Sequence, residues 1–256
     1  MKKRSLVAPF LVALVWVASC TAADKPGHAA IASAHKLATA AGFEVLDQGG
    51  NAFDAAVAVA STLSVVEPQS SGIGGGGLFL VRRAADGKET MIDARETAPA
   101  EVDAKDYLNA SGEPDRDHAL NGPLSAAIPG EAAAIVWLAK NYGRLPLSKS
   151  LAPAIRIARE GFQPDSRFIE ELAGTSSRMT KYPASVALYL VNGEAPKVGW
   201  TFRTPDLARV LEKIASDGND GFYRGDVAKA MVDAVRAAGG RWTLDEIGRA
   251  SCRERV

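Results

Sequence analysis

The sequence predicts a mixed α/β (α+β) fold, a sheet flanked by alanine-rich helices. Three observations carry this. Residues 78–82 and 89–94 are short apolar-rich runs, and Asp86-Gly87 between them is a strong two-residue hairpin signal. The second run carries Met91 on one face and Ile92 on the other, the pattern of a sheet covered on both sides. The flanking stretches repeat apolar residues at helical spacing and stop at glycines.

Taken in order, Asn51 reads as the N-cap of a helix reaching about Leu63, with Asp54 at its third position. Ala52, Ala55, Ala56 and Ala60 give that helix a face for close packing. After the hairpin, a helix over 130–142 stops at Gly143, and another over 151–160 stops at Gly161. Thr204 is expected to cap the next helix, with Pro205 at its first position and Leu207, Val210, Leu211 and Ile214 on its apolar face. Gly218 ends it, and a further helix spans 226–238. Thr243 and Glu246 have the spacing of a capping box, which announces one more helix. The residues that follow have no apolar face to pack, so that helix is expected to stall. The segment 248–256 is read as an atypical tail foreign to the fold, following a truncation.

The chain has 256 residues, 47% hydrophobic and 23% charged, enough for a sizeable core. Thirty basic residues balance thirty acidic ones, so there is no electrostatic footprint for nucleic acid. Lys2, Lys3 and Arg4 precede an apolar run over 6–17, which makes residues 1–23 a secretory signal. The small residues before Cys20 resemble a lipobox, although Val17 stands where leucine is usual. Either Cys20 is lipidated or cleavage falls after Ala22 or Ala23. Both outcomes export the protein to the periplasm, and any membrane contact is through that lipid. With Cys20 in the signal and Cys252 near the end, no disulfide framework or metal cluster is expected. His28, His35 and His118 lack ligand spacing, and no cofactor motif is present.

The functional signal lies between Glu67 and Pro99. Gly72, Gly74, Gly75, Gly76 and Gly77 do not end in Gly-Lys-Ser/Thr, and a strand rather than a helix follows them. Nucleotide binding is therefore disfavoured, and close backbone packing or ligand approach remains. Arg95 follows the second strand. Either it is a surface arginine paired with Asp93 or Glu96, or it binds a carboxylate through two parallel hydrogen bonds. No Gly-x-Ser-x-Gly elbow occurs, and neither cysteine lies near a histidine. The residues alone show a candidate binding site and no catalytic centre.

Several ordered motifs over about 30–247 resemble the gamma-glutamyltransferase (glutathione hydrolase) family. They include Gly49-Gly50-Asn51-Ala52-Phe53-Asp54-Ala55-Ala56, Val66-Glu67-Pro68 and Ser71-Gly72-Ile73-Gly74-Gly75-Gly76-Gly77. Asp93-Ala94-Arg95-Glu96-Thr97-Ala98-Pro99, Ile128-Pro129-Gly130 and Phe222-Tyr223-Arg224-Gly225 follow in the expected order. So do Leu151-Ala152-Pro153-Ala154-Ile155 and Thr243-Leu244, and 32–39 resembles the family's opening helix. The resemblance implies an N-terminal-nucleophile (Ntn) hydrolase with a four-layer αββα sandwich. It also implies a precursor that cleaves itself into two subunits, with residues 28–247 in the large one. The nucleophile is then the N-terminal threonine of the small subunit, with its own α-amino group as base. It attacks γ-glutamyl amides such as glutathione, and the glutamyl group passes to water or an acceptor amine. Arg95 matches the family arginine that binds the glutamyl α-carboxylate. The family's processing site is a Thr-Thr pair, and no such pair occurs here. The fold is accordingly expected to be incomplete, to lack its own catalytic residue, and to expose an apolar surface where the small subunit packs. Two alternatives share the scaffold: a cephalosporin or glutaryl acylase, and a non-catalytic carboxylate-binding module.

Overall fold

A computed structural model describes residues 29–255. The expected signal, Cys20 and His28 lie outside the described residues. Ala32–Val256 is one compact unit, and of the preceding unit, Met1–Ile31, only residues 29–31 are described.

The unit is built around α2 (Ala52–Val66), which packs on α1 (Lys36–Asp47), α4 (Glu131–Tyr142) and α5 (Leu147–Glu160). The Asn51 cap forms as predicted. Its side chain accepts from the N–H groups of Phe53 and Asp54, and Asp54 accepts from Asn51 N at 2.9 Å. The helix runs three residues past the expected end. Of the alanines expected on its packing face, Ala55 is buried, Ala56 and Ala60 are partly so, and Ala52 is exposed; Val57, Ser61, Thr62, Ser64 and Val65 fill the buried face with them. Ser61 and Ser64 donate back to Val57 and Ser61 carbonyls, which lets small polar residues sit in a close helix contact. Across the unit, Arg156 on α5 holds Glu44 on α1 through two hydrogen bonds, at 2.6 and 3.1 Å.

Asp54 does more than cap. It is fully buried, and besides Asn51 N it accepts from Arg144 N at 2.9 Å and Leu145 N at 3.3 Å. The α4–α5 connection is thereby tied to the start of α2. Gly143 is required there because a Cβ would come within 2.6 Å of Asp54 Oδ1 and of the Ala139 carbonyl.

The hairpin forms where the sequence places it. β1 (Gly77–Arg82) pairs antiparallel with β2 (Glu89–Ala94), Gly77 opposite Ala94 and Arg82 opposite Glu89. The turn is wider than the two residues expected. The Arg83 side chain grips Asp86, Asp86 accepts from Lys88 N, and Gly87 takes φ +73°, so 83–88 all belong to the loop. One face of the sheet, with Ile92 and Val81, is buried, and α4 packs against β2. The other face is bare: Leu78 and Leu80 are 58% and 71% exposed. A sheet covered on both sides is therefore corrected to one covered on a single side among the described residues. The expected exposed apolar surface is present.

The remaining helices are α3 (Arg116–Leu120), α6 (Ser166–Met179), α7 (Pro183–Tyr189), α8 (Pro205–Asp217), α9 (Asp220–Tyr223), α10 (Gly225–Ala237) and α11 (Leu244–Gly248). Pro205 opens α8 as predicted, but Thr204 does not cap it. Its hydroxyl is buried without a hydrogen-bond partner, while its backbone N–H goes to Ala158 O. The side chain is turned into the core rather than toward the helix end. Phe202, 1% exposed, gathers Phe162, Phe168, Tyr189 and Trp200 with ring centroids 5.2–5.9 Å away. That cluster ties α6 and α7 to the core. The helix expected to stall does form, as the five residues of α11 behind the Thr243–Glu246 capping box. The following segment is not without packing. Ala250 and Cys252 lie against the core, and β3 (Arg253–Arg255) pairs antiparallel with β2.

α1 is capped by His35, whose Nδ1 accepts from Leu37 N at 3.1 Å. That requires an uncharged imidazole. Burial lowers the His35 pKa below 6.5, against the opposing pull of Glu67 and Asp165, with Lys36 adding to the lowering. A depressed folded value means the cap's contribution is complete above the unfolded pKa and is lost as pH falls through the folded one. His35's contribution should therefore shrink from pH 7.5 down to 5, read as the unfolding-midpoint difference between the parent and His35→Asn, a cap that does not titrate.

Asp54→Ala orphans three backbone donors in a buried site and should destabilise by about 3 kcal/mol. Thermal unfolding should register this as a drop of roughly 10 °C. A change within 2 °C would mean the loop is held by other contacts.

Candidate functional site

The candidate site sits where three backbone segments meet: the glycine loop before β1, the end of β2, and Ile128-Pro129-Gly130 before α4. Gly75 O accepts from Gly130 N at 2.9 Å and from Glu131 N at 3.0 Å. Thr97 and Ile128 exchange both N–H···O bonds, at 2.8 and 3.2 Å. α4 has no side-chain cap of its own, because Gly130 stands at that position. Tyr223, 3% exposed, supplies the missing partner from ninety residues away. Its hydroxyl accepts from Ala133 N and donates to Pro129 O, both at 3.1 Å. Burial raises the phenol's pKa further, so it remains a donor.

Arg95 follows directly on β2, with its side chain 69% exposed. Its Nε is 3.5 Å from Glu96 Oε2, and its backbone N donates to Asp93 Oδ1 at 3.2 Å. Both neighbours named in the surface reading are thus engaged. Arg95 also lines a cleft of about 450 Å³ with Asp93, Glu96, Ile128, Pro129 and Glu246. A guanidinium at the rim of an open polar cleft can take a carboxylate or a similar planar anion.

The glycine run lacks the helix that follows a phosphate loop. Gly77 opens a strand, and the loop's Gly75 carbonyl consumes N–H groups at the start of α4. Among the described residues no grouping of histidine, cysteine and carboxylates suits a metal ion. The Cys252 thiol is half-buried, and burial raises its pKa, which does not favour a nucleophile. No described helix is long and apolar enough to cross a membrane.

Sequence reasoning singled out Arg95 and missed Glu131, Tyr223 and the roles of Gly76 and Gly130. For Gly76 and Gly130 the signal is their place in glycine-bearing motifs on either side of Arg95. For Tyr223 the signal is the Phe222-Tyr223-Arg224-Gly225 motif, which does not reveal its partner in α4.

The comparisons with known proteins agree on one family. The gamma-glutamyltranspeptidase family model matches residues 38–253. The glutathione hydrolase proenzyme of Escherichia coli (strain K12) is 36% identical over 227 residues, which is 88% of this chain and 39% of that protein. The chain thus spans about two fifths of the length of that curated relative. The crystal structure of Helicobacter pylori gamma-glutamyltranspeptidase superposes with TM-score 0.84 at 33% identity, over 88% of this chain and 64% of that one. A cephalosporin acylase from Bacillus halodurans shares the fold with TM-score 0.76 at 28% identity, over 91% of this chain and 46% of that one.

Glu131, the first residue of α4, points its carboxylate at the glycine loop, where Oε2 lies 2.9 Å from the position a Cβ on Gly77 would take. Burial, with the neighbouring charge of Glu96, pushes its pKa up to about 7. A carboxyl raised in the folded state contributes stability that is complete below its unfolded pKa and lost as pH rises through about 7. Relative to Glu131→Gln, the parent's unfolding midpoint should therefore fall as pH rises from about 4.5 to 7 and hold level above that. A parent–variant difference that does not change with pH over that range would show that the carboxyl is already ionised at its low end.

Proposed function

The chain belongs to the gamma-glutamyltranspeptidase family, and from that premise we propose that it is the substrate-carboxylate half of an exported glutathione hydrolase. In this reading it is part of the large subunit of an Ntn-hydrolase precursor. The observation that carries the proposal is Arg95, an exposed guanidinium on a rigid turn at the mouth of a cleft, within a motif the family resemblance covers. Arg95 holds the α-carboxylate of a γ-glutamyl group. The nucleophile, the N-terminal threonine of the small subunit, belongs to the rest of the full-length protein and attacks the γ-amide carbon. The acyl-enzyme then passes the glutamyl group to water or to an acceptor amine. The bare face of the sheet, with Leu78 and Leu80, suits burial against that second subunit. The leader over 1–23 directs export to the periplasm, and Cys20 is the candidate lipid anchor. Arg95 would serve a glutaryl acylase equally, and the shared fold with a cephalosporin acylase keeps that second reading in play.

Arg95→Ala in the full-length protein should raise KM for a γ-glutamyl anilide, with a loss in kcat/KM of about 30-fold or more, the equivalent of about 2 kcal/mol for a charge-assisted hydrogen bond. Turnover of a 4-aminobutanoyl anilide, which lacks the α-carboxylate, should be unaffected. Equal losses on both substrates would remove Arg95 from carboxylate recognition. Preference for γ-glutamyl over glutaryl anilide separates the transferase from the acylase.

A further inference from the structure

The peptide that carries Arg95 is clamped between two glycines from different segments. A Cβ on Gly76 would lie 2.2 Å from Ala94 O, 2.9 Å from Glu96 N and 3.0 Å from Arg95 Cα. A Cβ on Gly130 would lie 2.2 Å from the same Ala94 O and 2.8 Å from Ala94 C. Contacts under 3 Å with backbone cannot be relieved by turning a side chain, so the neighbouring chain would have to move. Conformation is not the reason for either glycine. Gly130 has φ −118°, and Gly76 is not among the positive-φ glycines. What these positions require is the close approach itself.

The clamp is fixed from both ends. Gly77 pairs with Ala94 across the hairpin, and Thr97 is bridged to Ile128. Arg95 and Glu96 are therefore a two-residue span between pinned points. The jaws are themselves joined, since Gly130 N donates to Gly75 O at 2.9 Å. We infer that Gly76 and Gly130 are positioning residues, which fix the backbone of Ala94–Arg95 and so set where the Arg95 guanidinium meets an anionic group. This rests on the reading of Arg95 as the carboxylate-binding residue.

The test uses Gly76→Ala, Gly130→Ala and Arg95→Ala in the full-length protein, with Gly74→Ala as a loop control, because a Cβ at Gly74 meets nothing within 4 Å. Each is assayed with γ-glutamyl anilide and with 4-aminobutanoyl anilide. The two clamp variants should lose at least tenfold in kcat/KM on the first substrate, mainly through KM. They should stay within about twofold of the parent on the second, and Gly74→Ala should match the parent on both. Should the clamp variants fail to fold, Thr97→Pro carries the test. It deletes the Thr97 N–H bond to Ile128 O at an exposed position and should shift KM in the same selective way. If Arg95→Ala loses the selectivity and the clamp variants, or Thr97→Pro in their place, keep it, the positioning role is wrong while the carboxylate site stands. If Arg95→Ala itself keeps the selectivity, the carboxylate site falls and the positioning role with it. A Gly74→Ala loss equal to that of Gly76→Ala would assign the effect to the loop as a whole and overturn the clamp.

Discussion

The fold turns on a buried carboxylate. Asp54 is removed from water, and its two oxygens are satisfied by backbone N–H groups at the start of α2 and in the loop between α4 and α5. A buried polar group in such a place is stable only while all of its partners hold, so the loop has little freedom. The loop in turn fixes one end of α4. Twelve residues of helix span about 18 Å, and the other end of that strut is where Gly75, Gly130 and Tyr223 meet. The placement of Arg95 thus follows from a contact on the far side of the core.

At the functional end of α4, the helix has its first N–H groups already engaged. Gly75 O takes two of them and the Tyr223 hydroxyl a third. A helix start with free N–H groups binds anions readily, but here three of the first four are held from within the protein. In the proposed reading, anion recognition falls to the Arg95 guanidinium instead, whose planar, paired donors suit a carboxylate in shape as well as charge. The glycine run therefore serves to let two backbones touch, and it leads into a strand rather than the helix a phosphate loop opens.

Much of this was legible locally. Asn51 with Asp54, Thr243 with Glu246, and Pro205 each announce a helix start within four residues, and each start is found. The hairpin was legible too, although Arg83 and Asp86 widen its turn. What escaped detection has several causes. Tyr223 caps a helix ninety positions earlier, and His35 caps α1 although histidine is not a favoured cap. Thr204 looks like a cap and is drawn into the core instead. The bare sheet face was only half anticipated. Alternation on β2 shows that both faces are apolar, but it carries no information on which parts of a longer protein cover them. For Arg95 the residue pattern left a surface ion pair and a binding role side by side, and only the family motif favoured the second.

The two readings of Arg95 are compatible once the energetics of its contact are considered. Glu96 approaches only Nε, at 3.5 Å, on a side chain that is mostly exposed. An ion pair of that kind contributes about 0.5 kcal/mol in water. It orients the guanidinium without sequestering it. A carboxylate arriving from the cleft can engage the two terminal nitrogens as a parallel pair of charge-assisted bonds, which are stronger and more directional than the contact at Nε. Glu96 need not leave for that to happen. The energetic requirement falls instead on the backbone, because a bidentate fit tolerates little displacement of the fork. A flexible side chain on a flexible turn would spend much of any binding energy on ordering itself. Here the turn is ordered beforehand by the Ala94 contacts and the Thr97 bridge, and only the side chain's own torsions remain to be fixed.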